Sequence, residues 1–189
     1  MSVFFISDLH LCHKNALRFF PQRSRFKTTR ELGDYLIDKW NNVVTKEDKV
    51  IVLGDIALNL NYEGMVDEAN DILSSLNGIK VCVKGNHDVG PMKRELIGNH
   101  FIESLGCYEY KDAVCTHIPV HPQQLFGSPD TRVYKKWKWN IHGHLHTFEV
   151  EPYDPRYINV SCEMLDFTPR TYEDLVEERM LLTNEEHLH

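Results

Sequence analysis

Short apolar strands alternate with amphipathic helices in the first half of the chain, and this order constrains the fold more than any other feature. Apolar residues recur at helical spacing from the Thr28 cap to residue 43, and again across residues 62–78. Strands that are separated by helices pair in parallel. We therefore expect a parallel sheet with helices packed on it. Its strands are predicted at residues 2–7, 49–53 and 79–83.

Beyond residue 100 the sequence changes to short β segments with turn residues between them, which predicts a second sheet. A final helix is expected over residues 171–180, opened by a cap from Thr171 and Asp174. The two halves together predict an α/β sandwich of two layered sheets flanked by helices. No linker divides residues 1–189, so we expect a single domain. The segments of the second sheet are residues 107–110, 113–116, 138–142 and 157–161.

Composition and charge limit the class of protein. The chain is 42% hydrophobic and 26% charged, as in ordinary globular proteins. No apolar run is long enough to span a bilayer and the opening residues lack a secretion signal, so we expect a cytoplasmic protein without a membrane partner. The net charge of -7 argues against a general nucleic-acid coat. The excess of acids lies in a C-terminal segment that starts at about residue 149.

The predicted strands end in side chains that can bind a metal ion. In open α/β sheets ligands bind in the crevice outside the carboxyl ends of the strands, so residues far apart in sequence should meet there. One such ending would be weak evidence, but five in one chain favour a site. Carboxylates and imidazoles without cysteine suit Mn²⁺, Fe or Zn²⁺. The endings contain Asp8 and His10, Asp55, Asn86, His117, and the run from His142 to His146.

These groups are too many for one ion but suit two ions that share a carboxylate. Asp55 is the expected bridge, because Gly54 lets the backbone come close. His144 and His146 lie two residues apart, so each can address a different ion. Two divalent ions, two aspartates and a bridging hydroxide leave a charge of about +1, which favours an anion, and the ions lower the pKa of bound water towards about 7. Phosphoester hydrolysis is the expected reaction.

In order along the chain, these motifs resemble those of the calcineurin-like metallophosphoesterase superfamily, and in particular its small, uncapped phosphodiesterase-type members. The matching motifs are D-x-H at 8–10, G-D at 54–55, G-N-H-D at 85–88, His117, and G-H-x-H at 143–146. The resemblance implies a four-layer αββα sandwich. It implies two divalent transition-metal ions, with Mn²⁺ expected and Fe, Zn²⁺ or Ni²⁺ as alternatives, and a metal-bridging hydroxide as nucleophile.

The same resemblance implies a role for each residue of the site. His87 would protonate the leaving alkoxide, and Asp88 would orient the His87 imidazole by a hydrogen bond. One ion would be bound by Asp8, His10, Asp55 and His146. The other would be bound by Asp55, Asn86, His117 and His144.

Several assignments stay open. His121 competes with His117 in T-H-I-P-V-H, and we favour His117 because it ends the strand directly. His13, in the L-C-H-K-N segment, contacts substrate or is a solvated loop residue. Arg25 resembles an arginine that reaches phosphate in related small proteins. His142 is expected to support the H-G-H turn. His187 and His189 are expected to belong to the acidic tail.

The substrate class is suggested by two basic stretches without acids, residues 9–30 and 131–148. With Trp137 and Trp139 they would form a cationic, aromatic rim that binds a nucleotide or single-stranded nucleic acid. The alternative is that the tryptophans pack between the sheets. No insertion is large enough for a capping domain, so we expect an open cleft that takes nucleotides or related small phosphodiesters. Two other functions remain: a DNA or RNA nuclease, and a non-catalytic protein-binding scaffold on the same fold.

Overall fold

The fold consists of two β-sheets and the helices that pack on them. The computed structural model describes residues 1–126, 137–151 and 153–186. The strands are β1 (Val3–Ile6), β2 (Lys49–Val52), β3 (Ile79–Val83), β4 (Glu103–Leu105), β5 (Tyr108–Tyr110), β6 (Ala113–Thr116), β7 (Trp139–His142), β8 (Tyr157–Asn159) and β9 (Arg170–Thr171). The helices are α1 (Ala16–Phe19), α2 (Thr29–Asn41), α3 (Met65–Ser75), α4 (Pro91–His100), α5 (Pro122–Phe126) and α6 (Tyr172–Glu186).

The first sheet has the strand order β4-β3-β2-β1-β9. Strands β1 to β4 are mutually parallel, as the alternation of strands and helices predicts, and β9 is antiparallel to β1. The central residues of β2, from Val50 to Val52, are fully buried because helices cover one face and the second sheet covers the other. All the parallel strands therefore end at the same edge of the sheet.

The second sheet has the order β5-β6-β7-β8, with β6, β7 and β8 parallel and β5 antiparallel. Side chains alternate across it, because successive residues of a strand point to opposite faces. Ala113 and Cys115 belong to the main core between the sheets, whereas Val114 packs with Leu125 of α5 on the other face. The predicted sandwich of two mixed sheets flanked by helices is confirmed.

Helices α2 and α6 begin at the predicted caps. The Glu31 N–H donates to the Thr28 side chain, and the Asp174 N–H donates to Thr171 Oγ1. Trp40 of α2 is fully buried, and its indole N–H donates to the Asn77 carbonyl at 2.9 Å. This bond ties the end of α2 to the turn before β3.

The sequence patterns do not predict α4, β4 or β9. Helix α4 buries only Leu96 and Ile97, so its apolar periodicity is too short to recognise, although Pro91 at its first turn is a start signal. Strands β4 and β9 are three and two residues long. Within the described ranges, no helix has the length and apolar character needed to cross a membrane.

Candidate metal centre

The polar strand endings meet at one edge of the molecule and are joined by backbone hydrogen bonds. The Asp8 N–H donates to the Gly54 carbonyl at 3.0 Å, which ties the end of β1 to that of β2. The His144 N–H donates to Asp8 Oδ2 at 2.9 Å, which ties the end of β7 to that of β1. Both sheets therefore contribute to a single crevice, as the positions of the motifs predict.

The backbone at this edge is held in a conformation that side chains disfavour. Left-handed backbone angles in residues other than glycine cost of order 1 to 3 kcal/mol each, and they cluster at functional sites. Such strain persists only where surrounding contacts fix it. The residues at this edge with positive φ are Asp8 (58°), His10 (48°), Asp55 (54°), His144 (69°) and His146 (52°).

Two glycines allow the endings to come this close. A Cβ atom added to Gly85 would overlap the backbone and carboxylate of Asp55. A Cβ added to Gly143 would overlap Ser7 Oγ and Asp8 Oδ2, across the boundary between the two sheets. The glycines of the G-N-H-D and G-H-x-H motifs are therefore required by close packing of one strand ending on another.

Two groups of side chains have the composition and spacing of a metal site. In each group one ligand atom per residue lies within 4.8 Å of the others, and the groups are Asp8, His10 and His146, and Asp8, Asp55 and His117. Asp55 Oδ2 lies 3.5 Å from His10 Nε2 and 3.5 Å from His117 Nε2. These separations are too long for good hydrogen bonds. Ligand atoms bonded to one ion at about 2.0–2.2 Å lie roughly 3 to 4 Å apart, so the residues fit a cation.

Unsatisfied polar atoms at the first group support this fit. Asp8 and His10 are buried, and Asp8 Oδ1 and both His10 ring nitrogens have no hydrogen-bond partner among the described residues. Burial raises the pKa of Asp8, although His117 and His146 act in the opposite direction. Burial also lowers the pKa of His10 far below its ordinary value. A bound cation would supply the missing partner and favour the ionised carboxylate.

A second convergence lies around His117 Nε2. His117 Nδ1 donates to the Leu53 carbonyl at 2.7 Å, so Nε2 carries the lone pair. That lone pair lies 2.9 Å from Asn86 Oδ1 and 3.2 Å from His144 Nδ1. An imidazole lone pair and an amide oxygen both accept, so in this tautomer a bound cation would suit the two atoms as a shared partner. The second predicted ligand set thus also meets in space.

His87 lies at the mouth of the crevice. Its side chain is 46% exposed, its Nε2 is 4.0 Å from Asp55 Oδ2, and its backbone N–H donates to Asp55 Oδ1 at 2.9 Å. The imidazole is therefore beside the carboxylate cluster but open to solvent.

Asp88 corrects a prediction, because it does not hydrogen-bond to the His87 imidazole. Its carboxylate accepts the backbone N–H groups of Asp55, Ile56 and Gly85 at 2.8 to 2.9 Å. Asp88 thus fixes the ends of β2 and β3 relative to each other, and both its oxygens are engaged in that task.

The other histidines differ in position. The His121 side chain is exposed and its Nδ1 accepts the Gln123 N–H, whereas His117 is buried in the cluster, so the geometry favours His117. The His13 ring lies 5.5 Å from that of His10, and burial lowers its pKa. His142 is buried with Nδ1 2.9 Å from the Gly143 carbonyl, and burial lowers its pKa to about 4. His187 and His189 are outside the described residues.

Two arginines of the predicted basic rim are engaged by other parts of the structure. Arg25 pairs with Asp166 and lies over Tyr35, so its guanidinium is engaged away from the cluster. Arg23 is fully buried. Trp139 packs in the core between the sheets, as the alternative interpretation predicts. Arg132, Lys135 and Lys136 are outside the described residues.

The sequence reading missed polar residues that follow β8. Ser161 Oγ donates to Asp8 Oδ2 at 3.0 Å, and Glu163 Oε2 lies 3.1 Å from His146 Nδ1. Burial raises the pKa of Glu163, but the hydrogen bond from His146 and the charge of Arg23 outweigh it and the pKa is lowered. The sequence contained a signal for these residues, because the strand predicted at 157–161 is also followed by polar side chains, in the segment S-C-E.

Comparisons with known proteins show the family and agree with the fold. The family model described as calcineurin-like phosphoesterase matches residues 1–179. An uncharacterized protein of Methanocaldococcus jannaschii is 30% identical over 181 residues, which cover 93% of this chain and 89% of the relative. The gene 66 protein of Mycobacterium phage L5 is 32% identical over 166 residues, covering 77% of this chain and 78% of the relative. The crystal structure of a protein of unknown function from Aquifex aeolicus is similar in fold, with a TM-score of 0.68 and 24% identity, covering 93% of this chain and 98% of that one.

Proposed function

Because the chain belongs to the calcineurin-like phosphoesterase family and carries matching ligand groups, it is a metal-dependent phosphoesterase, and we propose that it is a phosphodiesterase that acts on nucleotides or related small phosphodiesters. The proposal of two metal ions depends on the position of the Asp55 carboxylate. One of its oxygens lies 3.5 Å from an imidazole nitrogen in each of the two ligand sets. A carboxylate in that position is suited to bridge two ions.

We assign each ion four ligands, which both sheets supply. In the first set, the Nε2 atoms of His10 and His146 lie 3.7 and 3.9 Å from Asp8 Oδ1. This oxygen is buried and has no hydrogen-bond partner among the described residues. The second set surrounds His117 Nε2. Oxygen and imidazole ligands without thiolates suit Mn²⁺, Fe, Zn²⁺ and Ni²⁺, and of these we expect Mn²⁺. The sets are Asp8, His10, Asp55 and His146, and Asp55, Asn86, His117 and His144.

When bound, two such ions lower the pKa of water towards about 7 and neutralise the charge of a phosphoryl group. The residues of the chain position the substrate and move the proton. His87 is half-exposed at the mouth, where its imidazole can protonate a leaving alkoxide, and its backbone N–H is fixed on Asp55. His13, beside His10, is placed to contact the substrate. Asp88 acts as a positioning residue through the backbone of this turn.

The shape of the described structure supports a small diester substrate. The described connections between the motifs contain no inserted domain, although the segment between β1 and α2 passes beside the site, where Phe20 stacks on His146. His87 and His144 remain partly accessible. A scaffold role is disfavoured, because His87 and every expected ligand are present.

The proposal is tested with bis-p-nitrophenyl phosphate and p-nitrophenyl phosphate as paired substrates. Metal-free protein, prepared with EDTA, should be inactive, and Mn²⁺ should restore turnover with preference for the diester. The variant His87→Ala should lose turnover by about 10² to 10⁴-fold while retaining its Mn²⁺ content. Absence of turnover of either ester with Mn²⁺, Fe²⁺, Zn²⁺ or Ni²⁺ would contradict the proposal. A preference for the monoester would contradict the substrate class.

A further inference from the structure

A buried ion pair lies behind the candidate metal centre. The side chains of Arg23 and Glu163 have no exposed surface, and Arg23 Nε donates to Glu163 Oε1 at 2.5 Å. The two residues are 140 positions apart in sequence. Two charges are withdrawn from water here, and the cost of doing so must be offset by further hydrogen bonds.

Arg23 directs two further donors to the turn after β1. Nη2 donates to the Asp8 carbonyl at 2.6 Å and Nη1 donates to the Leu9 carbonyl at 2.9 Å. Asp8 and His10, on either side of Leu9, have left-handed backbone angles. The rigid guanidinium therefore holds this strained turn by its carbonyl groups, which directs both side chains towards the crevice.

Glu163 uses its other oxygen on His146. Since a carboxylate only accepts, the 3.1 Å contact places the proton of His146 on Nδ1 and the lone pair on Nε2. His146 Nε2 lies 3.9 Å from Asp8 Oδ1. The His146 ring is stacked between Phe20, at 4.2 Å, and His10, at 5.0 Å, so its plane is also fixed.

The imidazoles of the other ligand set, those of His117 and His144, have weaker hydrogen-bond partners behind them. His117 donates to a neutral backbone carbonyl, that of Leu53. Neither His117 nor His144 has a carboxylate hydrogen-bonded on its far side among the described residues. A carboxylate behind a ligating imidazole raises the basicity of the ligand and fixes its tautomer, which a carbonyl does less strongly.

We propose that Arg23 and Glu163 are positioning residues that make the Asp8, His10 and His146 set the tighter of the two metal sites, so that it is filled first. This inference rests on the proposed dinuclear function. The buried pair connects the turn of one sheet to the histidine of the other and fixes both before a metal ion binds. The set around His117 then receives the more exchangeable ion.

The test is calorimetric titration of the metal-free, full-length protein with Mn²⁺. The natural sequence should show two binding events of different affinity. Glu163→Gln should weaken the tighter event by about 10 to 100-fold and leave the weaker event unchanged. Glu177→Gln, an exposed glutamate of α6, is the matched control and should change neither event.

A double-mutant cycle separates positioning from a general loss of structure. In the His146→Ala background, Glu163→Gln should weaken Mn²⁺ binding less than it does in the natural sequence, because only its effect through Arg23 and the turn after β1 remains. If Glu163→Gln does not fold, the variant with Arg23→Met and Glu163→Met removes both buried charges together and should unfold near the normal temperature. Its tighter Mn²⁺ event should be weakened all the same.

The outcomes distinguish the two proposals. If the natural sequence binds no Mn²⁺, the proposed function fails. If it binds Mn²⁺ in two events and folded Glu163→Gln leaves both unchanged, or weakens both equally, the inference about Arg23 and Glu163 is overturned and the proposed function stands. An equal loss of affinity on adding Glu163→Gln to the natural sequence and to His146→Ala would also overturn it.

Discussion

The two sheets contribute different chemistry to the same edge. The five-stranded sheet supplies the carboxylates and the amide, with Asp8 and Asp55 exposed by 0% and 2% of their surface. The four-stranded sheet supplies imidazoles after β6 and β7, and of these His144 and His146 are only partly buried. The five-stranded sheet therefore supplies the proposed carboxylate ligands together with His10, and the four-stranded sheet supplies imidazoles, two of which lie closer to solvent.

This difference shows that neither sheet is a metal site by itself. Two buried carboxylates without a cation would be costly, and the raised pKa of Asp8 reflects that cost. In the proposed site the imidazoles would complete the coordination without adding negative charge, so the crevice could still attract a phosphate. The packing of the sheets on each other is thus what creates the site. Three substitutions test how far the two contributions are separable.

The largest effect is expected on the side of the carboxylates. Asp55→Asn removes the charge of the proposed bridge, so both ions should bind weakly and diester hydrolysis should fall by about 10³-fold or more, since a metal ion contributes several kcal/mol to such a reaction. Mn²⁺ content measured by mass spectrometry should fall in parallel. Asp67→Asn, an exposed carboxylate of α3, is the control. Full metal content and activity in Asp55→Asn would rule out a bridging role.

A smaller effect is expected on the side of the imidazoles. His117→Ala should reduce bound Mn²⁺ from about two ions to about one and lower turnover by about 10²-fold, because one set keeps its ligands. His121→Ala, four residues along the same chain and exposed, should change neither quantity. The reverse result would mean that His121 is the ligand and that the loop rearranges when a metal ion binds.

The smallest effect concerns the contact between the sheets. Gly143→Ala places a methyl group against Ser7 and Asp8, so we expect a loss of about 1 to 3 kcal/mol of stability. The melting temperature should fall by about 3 to 10 °C. Gly98→Ala, in α4 with nothing within 4 Å of the added atom, should instead stabilise by about 0.5 to 1 kcal/mol. Equal melting temperatures for the two variants would show that the sheets are not closely packed at Gly143.

The sequence predicts helices and strands well where their apolar periodicity extends over many residues. The caps at Thr28 and Thr171, the parallel strands and the second sheet follow from periodicity and turn residues, which act within a few positions. It does not predict α4 or β4, where too few residues are buried to give a period. The metal and catalytic roles of the gathered residues stay predictions until metal binding and turnover are measured.

Partnerships between distant residues are where sequence reasoning fails. Asp88 is assigned to His87, its neighbour in sequence, but bonds to the backbone after β2. Arg23 is assigned to a surface rim, but its partner Glu163 is 140 residues away and brings it into the interior. The spacing of motifs along the chain cannot predict either contact.

The amino-acid sequence by itself determined the order of strands and helices and the ligand types at the strand endings, because both depend on short-range pattern and on the geometry of parallel sheets. The sequence favoured His117 over His121, and the tertiary structure places His117 Nε2 beside Asn86 Oδ1. Tertiary structure alone decided that Asp88 fixes the backbone and that Arg23 and Glu163 lie behind His146. Those outcomes depend on which groups are excluded from water together, and burial is set by the whole packed molecule.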